Sequence, residues 1–159
     1  DHRDLHKVYR RQRQKCIRDS YKVAVSSAGN HDNRNYADDW GEKWHGLLEA
    51  YSGTNTTSGE EEVATSYDNQ ANQLLAERLE GKLLLAHGMM DTNVHPTSTM
   101  LVVEALVEAE KDFDLLMLPN AGHRFGNSRY FMKRRWDYFV EHLQDVKPPV
   151  DFTFADNIQ

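Results

Sequence analysis

A short apolar run, Leu83-Leu84-Leu85-Ala86, followed by His87-Gly88, sets the architecture of this chain. Bounded by Gly81 and Gly88, it reads as a strand buried on both faces, and such strands belong to parallel sheets. The run stops at Gly88 and delivers a carboxylate, Asp91, just past the C-terminal end of the strand, in Met89-Met90-Asp91-Thr92-Asn93-Val94-His95-Pro96. In open α/β sheets that edge is where reactive groups collect. A second apolar run, Phe113-Asp114-Leu115-Leu116-Met117-Leu118, ends in Pro119-Asn120-Ala121-Gly122-His123. An acid and then an imidazole therefore each follow a buried strand.

The remaining elements fit an α/β chain. Lys22-Val23-Ala24-Val25-Ser26-Ser27 is a β-rich run closed by Ala28-Gly29-Asn30 and predicts the first strand. Residues 30–46 are rich in Asn, Asp and aromatics; Tyr36, Trp40 and Trp44 recur at helical spacing, which by itself favours a short helix with one packed aromatic face. Residues 51–66 read as a polar, mobile surface loop, with Asn55-Thr56-Thr57 matching a glycosylation acceptor. A helix is expected from about Tyr67 to Arg78, capped by Ser66, with Ala71, Leu74 and Leu75 inward. Pro96-Thr97-Ser98 opens a helix over roughly 97–110 with Leu101, Val102, Ala105, Leu106 and Ala109 as its stripe. The last helix is expected over 128–143, with Phe131, the Arg135 stem, Tyr138, Phe139 and Leu143 inward, Lys133 and Arg134 toward solvent, and Pro148-Pro149 as its stop. Alternating strands and helices predict α/β with a parallel sheet flanked by helices.

Composition narrows the classes. The 159 residues fit one domain, and the mean hydropathy of -0.76 is low without reaching the disordered range. No run approaches the ~20 apolar residues of a membrane span, and the opening residues lack a secretory-signal pattern, so localisation is left unassigned. The single cysteine, Cys16, excludes an internal disulfide. Residues 1–22 carry eight Lys/Arg against three Asp/Glu, whereas the remainder carries eleven against twenty-two. This basic arm lacks interleaved aromatics beyond Tyr9 and any reader motif, so it reads as a solvated helix with Leu5, Val8 and Tyr9 on one face, and no nucleic-acid partner is expected. His31, His45 and His95 lack the short regular spacing of a zinc site, and no metal is predicted. His87, at a strand end, reads as a satisfied core histidine.

Asp before His, each behind a strand, is the second half of the Ser…Asp…His order of α/β-hydrolases. Several segments carry a closer likeness: Tyr21–Gly29, Tyr67-Asp68-Asn69-Gln70-Ala71-Asn72, His87-Gly88-Met89-Met90-Asp91-Thr92-Asn93-Val94, Leu118-Pro119-Asn120-Ala121-Gly122-His123 and Tyr130–Phe139. Through them residues 21–148 resemble the C-terminal part of the hydrolase domain of the prolyl oligopeptidase family, on its dipeptidyl-peptidase IV-like branch. The resemblance implies an α/β-hydrolase fold, a serine-type peptidase, a peptide substrate and no cofactor. It also implies an N-terminal propeller domain in the complete protein, possible homodimerisation, and relatives that are often periplasmic or extracellular.

By the same resemblance Asp91 matches the triad acid and His123 the general base. Asn93 matches a polar side chain that helps hold the substrate. Tyr36 and Trp40 align with the aromatic pair lining the pocket before the scissile bond, in Tyr36-Ala37-Asp38-Asp39-Trp40-Gly41-Glu42-Lys43-Trp44; Trp40 stands where the family often carries Tyr.

The departure lies at the start. A Gly-x-Ser-x-Gly nucleophile elbow is expected one helix before the first strand, near positions 1–8, but no glycine precedes Gly29. Without glycines so strained a turn is sterically implausible. Residues 1–20 thus read as an atypical basic segment outside the family sequence, left by truncation or a frame shift; residues 21–148 form the partial catalytic domain, without the elbow strand, and 149–159 a tail. Two classes are expected: a serine-peptidase fragment inactive by itself, or a non-catalytic α/β module binding peptides or a partner. An esterase of the same fold is a weaker third.

Overall fold

The computed structural model describes residues 22–54, 61–152 and 154. The expected basic helix, Cys16, the glycosylation-like Asn55-Thr56-Thr57 and most of the tail lie outside the described residues.

Three parallel strands form the sheet, in the order β1 (Val23–Ser27), β4 (Lys82–Gly88), β5 (Asp114–Leu118). In register, Val25 stands opposite Leu84 and Leu85 opposite Leu115. The central strand explains its own sequence. Successive side chains point to opposite faces, and both faces are covered. Leu83 and Leu85 meet Ala76, Val102 and Leu106, the last two from α2 (Thr97–Glu108). Leu84 and Ala86 meet the other layer, built on Phe125 and on Phe131 and Tyr138 of α3 (Arg129–Gln144). Leu84 and Leu85 are 2% and 1% exposed; each such burial stabilises the fold by roughly 1.5–3 kcal/mol. A polar residue at either position would break this three-layer packing.

The helices largely follow expectation, with local corrections. Pro96 precedes α2 with helical backbone angles, as its fixed φ favours. Ser128 accepts the Phe131 N–H and caps α3. That helix ends at Gln144, with Asp145 left-handed at φ 54°, before Pro148-Pro149 can act. Leu143, expected inward, is 57% exposed.

Two segments depart from the sequence reading. The polar stretch 51–66 contains an antiparallel pair, β2 (Ala50–Thr54) and β3 (Glu61–Thr65), with Ala50 opposite Thr65. Interleaved Tyr, Thr and Val suit a pleated strand even where overall polarity suggests a loop. The expected helix over 67–78 is instead two 3₁₀ turns, Asp68–Gln70 and Asn72–Arg78, separated by extended Ala71. The Asn72 N–H bonds to the His31 carbonyl at 2.9 Å, so it cannot join an α-helical ladder. Leu74 turns out to be 56% exposed. Ser66 caps nothing: its hydroxyl donates to the Leu47 carbonyl and accepts from the Glu49 N–H.

Candidate active site

Two loops leave the same edge of the sheet, one after β4 and one after β5, and backbone bonds splice them together. Met89 N–H donates to the Leu118 carbonyl at 2.9 Å, and Met90 N–H to that of Ala121 at 3.0 Å. Gly88 makes the splice possible. A β-carbon there would stand 2.2 Å from the Ala121 oxygen, so only glycine admits this approach.

The splice brings the two predicted groups together. His123 Nδ1 lies 2.8 Å from Asp91 Oδ2. Asp91 is 3% exposed, and its other oxygen accepts the N–H groups of Asn93 and Val94, both at 2.9 Å. Burial pushes the Asp91 carboxyl up, but the bonds from His123, Val94 and Asn93 outweigh it and hold it below the ordinary carboxylate range. The acid is thus ionised at neutral pH. It accepts the Nδ1 proton, and a neutral imidazole then has its basic lone pair on Nε2. The His123 side chain is 35% exposed, so its ring remains accessible.

The remaining predicted residues join the same cluster. The hydroxyl of Tyr36 donates to Asn93 Oδ1 at 2.7 Å. Tyr36 meets Trp40 edge-on, with ring centroids 5.6 Å apart. Trp40 lies on α1 (Asp38–His45), and Trp44 stands next on the same helix at 6.1 Å. The packing favoured by aromatic spacing is not what these rings do: Trp40 is 44% and Trp44 62% exposed. A hydrogen-bonded line therefore runs from Tyr36 through Asn93 and Asp91 to His123, with an open aromatic face at its start.

Behind this line is a buried polar network that periodicity does not reveal. Asp32, 2% exposed, takes a forked pair of bonds from Arg34 at 2.9 and 2.7 Å and another from Gln73; Arg34 also reaches Asp68 at 2.5 Å. Burial raises the Asp32 carboxyl, but its bonds to Arg34 and Gln73 bring it below the ordinary range. His31 accepts from Asn72 Nδ2 at 2.8 Å, and its backbone N–H donates to Ser98 Oγ at 3.1 Å. The network seats the loop that carries Tyr36. Its one readable signal is the pairing of Asp32 with Arg34 two residues on. His87 is wholly buried with both ring nitrogens partnered, by Thr99 Oγ1 at 2.6 Å and the Val94 carbonyl at 2.9 Å.

Among the described residues no group of three or more His, Cys, Asp or Glu is placed to hold a metal ion. Nor is any described helix long and apolar enough to cross a membrane.

Known structures share the fold of this chain. The crystal structure of Porphyromonas gingivalis dipeptidyl peptidase 4 superposes with a TM-score of 0.58 at 27% identity, over 77% of this chain and 16% of that one. An acylaminoacyl peptidase from Pyrococcus horikoshii shares the fold, with a TM-score of 0.59 at 19% identity, over 84% of this chain and 22% of that one. Dipeptidyl peptidase family member 1 of Caenorhabditis elegans is 30% identical over 59 residues, 37% of this chain and 7% of the relative. The chain thus spans less than a quarter of each of these proteins, and its parallel sheet flanked by helices is part of an α/β-hydrolase domain. The prolyl oligopeptidase family model matches residues 16–146, most of the chain, and the chain belongs to that family.

Proposed function

We propose that this chain is the acid-and-base part of a serine peptidase catalytic domain that cleaves peptides in the manner of a dipeptidyl peptidase. The observation carrying this reading is the 2.8 Å bond between His123 Nδ1 and Asp91 Oδ2 at the shared strand edge. In it, His123 Nε2 takes the proton of a serine hydroxyl as that oxygen attacks the peptide carbonyl, then returns it to the leaving amine. Asp91 fixes the ring orientation and stabilises the imidazolium between those steps. Tyr36, Trp40 and Asn93 form the wall that holds the substrate residue before the scissile bond.

The chain has no Gly-x-Ser-x-Gly segment. On this reading it forms no acyl-enzyme alone, because both the nucleophile and the N–H of the following residue, an oxyanion donor, come from that elbow. Fluorophosphonate, which needs an activated serine, tests this. The chain is expected to remain unlabelled. A version with an elbow segment restored upstream is expected to label, to cleave dipeptidyl chromogenic substrates faster than simple acyl esters, and to lose most turnover on His123→Ala. Stoichiometric labelling of the present chain at a serine beside His123 would refute the missing nucleophile. Equal turnover of the restored protein and its His123→Ala variant would refute the role of the base.

A further inference from the structure

The carboxylate of Asp91 faces two imidazoles. Besides His123, the Nε2 of His87 stands 3.2 Å from Asp91 Oδ2, with both side chains fully buried. The tautomer of the neutral form of this second ring follows from its neighbours. Nε2 also lies 2.9 Å from the Val94 carbonyl, which can only accept, so Nε2 carries the proton. Nδ1 is then the acceptor in a neutral ring, and the hydroxyl of Thr99, 2.6 Å away, donates to it. Thr99 is 1% exposed and sits in the first turn of α2, so the ring is held from behind by a rigid element.

Accepting the reading of Asp91 and His123 as an acid–base pair, we propose that His87 is a positioning residue for Asp91. One ring fixes the carboxylate at both oxygens. Its Nε2–H ties down the Val94 carbonyl, and Val94 N–H in turn donates to Asp91 Oδ1 at 2.9 Å. The same Nε2–H flanks Oδ2, the oxygen to which His123 bonds. A buried imidazole is costly where an aliphatic side chain would pack, unless its polar atoms are used. Here both are used, Nδ1 on Thr99 of α2 and Nε2 on the turn that carries the acid. His87 acts through Asp91 and touches no reacting atom.

Long-range proton–nitrogen NMR of the full ¹⁵N-labelled chain tests this. Wild-type His87 is expected as the Nε2–H tautomer, and His123 is expected to show a slowly exchanging Nδ1–H held by Asp91. His87→Gln places an amide donor near the lost Nε2, whereas His87→Asn places its amide near Nδ1 and provides nothing toward Val94. Exchange of the His123 Nδ1–H should stay near the wild-type rate in His87→Gln and rise about tenfold or more in His87→Asn, the size expected from losing an ordinary hydrogen bond. A merely space-filling role would move both variants alike, and that result would overturn the proposal. If His87→Asn does not fold, the wild-type tautomer decides: Nε2–H supports positioning and Nδ1–H overturns it. Asp91→Asn separates the two claims. If its His123 Nδ1–H persists unchanged, the pair itself is wrong. If that proton is lost while the His87 variants behave alike, only the positioning is wrong.

Discussion

A β-carbon on Gly88 would lie 2.2 Å from the carbonyl oxygen of Ala121 and 2.7 Å from that of Gly122. Both obstacles are backbone, so no rotamer change relieves the clash. Gly88→Ala must separate the end of β4 from the loop that carries His123, and the bond from Met90 N–H to Ala121 is the first to go. Overpacking of this kind costs about 1–3 kcal/mol. The variant is expected to show that loss in its urea midpoint, together with loss of the His123 Nδ1–H signal by NMR. An unchanged midpoint would mean that the two loops have more freedom than their spacing shows.

The Tyr36 hydroxyl offers a contrast, because its partner Asn93 is exposed. Tyr36→Phe removes a 2.7 Å bond without leaving a buried group unpaired. The expected stability loss is under about 1 kcal/mol. The ring should still meet Trp40, so the near-UV circular dichroism of the aromatic face is expected to persist. A loss of several kcal/mol would show that this hydrogen bond anchors the loop.

How much of this was legible in the sequence depends on where each residue's partner lies. Leu83–Ala86 reads as a two-faced strand because apolar residues fill both of its faces, whereas the pairing of Asp91 with His123 was implied by the family resemblance and not by spacing. The 3₁₀ turns at 68–78 were not legible, since the helix is interrupted by His31, whose carbonyl takes the Asn72 N–H across 41 positions. The β2–β3 pair was hidden for a different reason: its residues are polar enough to mask the strand pattern. Trp40 and Trp44 recur at helical spacing, yet spacing alone does not distinguish a buried face from an open one. The second imidazole on Asp91 was likewise invisible, because a strand-end histidine declares burial but not which loop folds over it.

Asp32 and Arg34 are paired unequally, and the inequality is testable. Asp32 is 2% exposed, while the Arg34 side chain is 29% exposed and also has Asp68. Removing the acid leaves a cation that can still reach Asp68 and water. Removing the base leaves a buried carboxylate. Breaking a buried pair costs about 3–5 kcal/mol, and partial exposure of Arg34 brings Asp32→Asn below that range. Arg34→Met is therefore expected to lower the chemical-denaturation midpoint more than Asp32→Asn. The reverse order would mean that Gln73 and the backbone alone satisfy Asp32.

His31 should give the chain a characteristic response to mild acid. Burial first, and the neighbouring His87 second, lower its pKa from 6.5 to about 4. Its Nδ1 accepts from Asn72, so the neutral ring is protonated at Nε2, a buried atom with no hydrogen-bond partner. The unfolded chain takes up a proton near pH 6.5, while the folded chain resists until about pH 4. Because the unfolded state binds more protons in that interval, stability falls as pH drops through it. The loss between pH 7 and pH 5 is about 2 kcal/mol from this residue alone. The carboxyls of Asp32 and Asp91, both lowered from 3.8, lose their contributions only at more acid pH, so the windows separate. His31→Asn retains an oxygen able to accept from Asn72 but cannot titrate. Denaturant midpoints from pH 7 to pH 5 are expected to fall steeply for wild type and distinctly less for His31→Asn. Parallel slopes would show that His31 takes up its proton alike in both states, contrary to its burial.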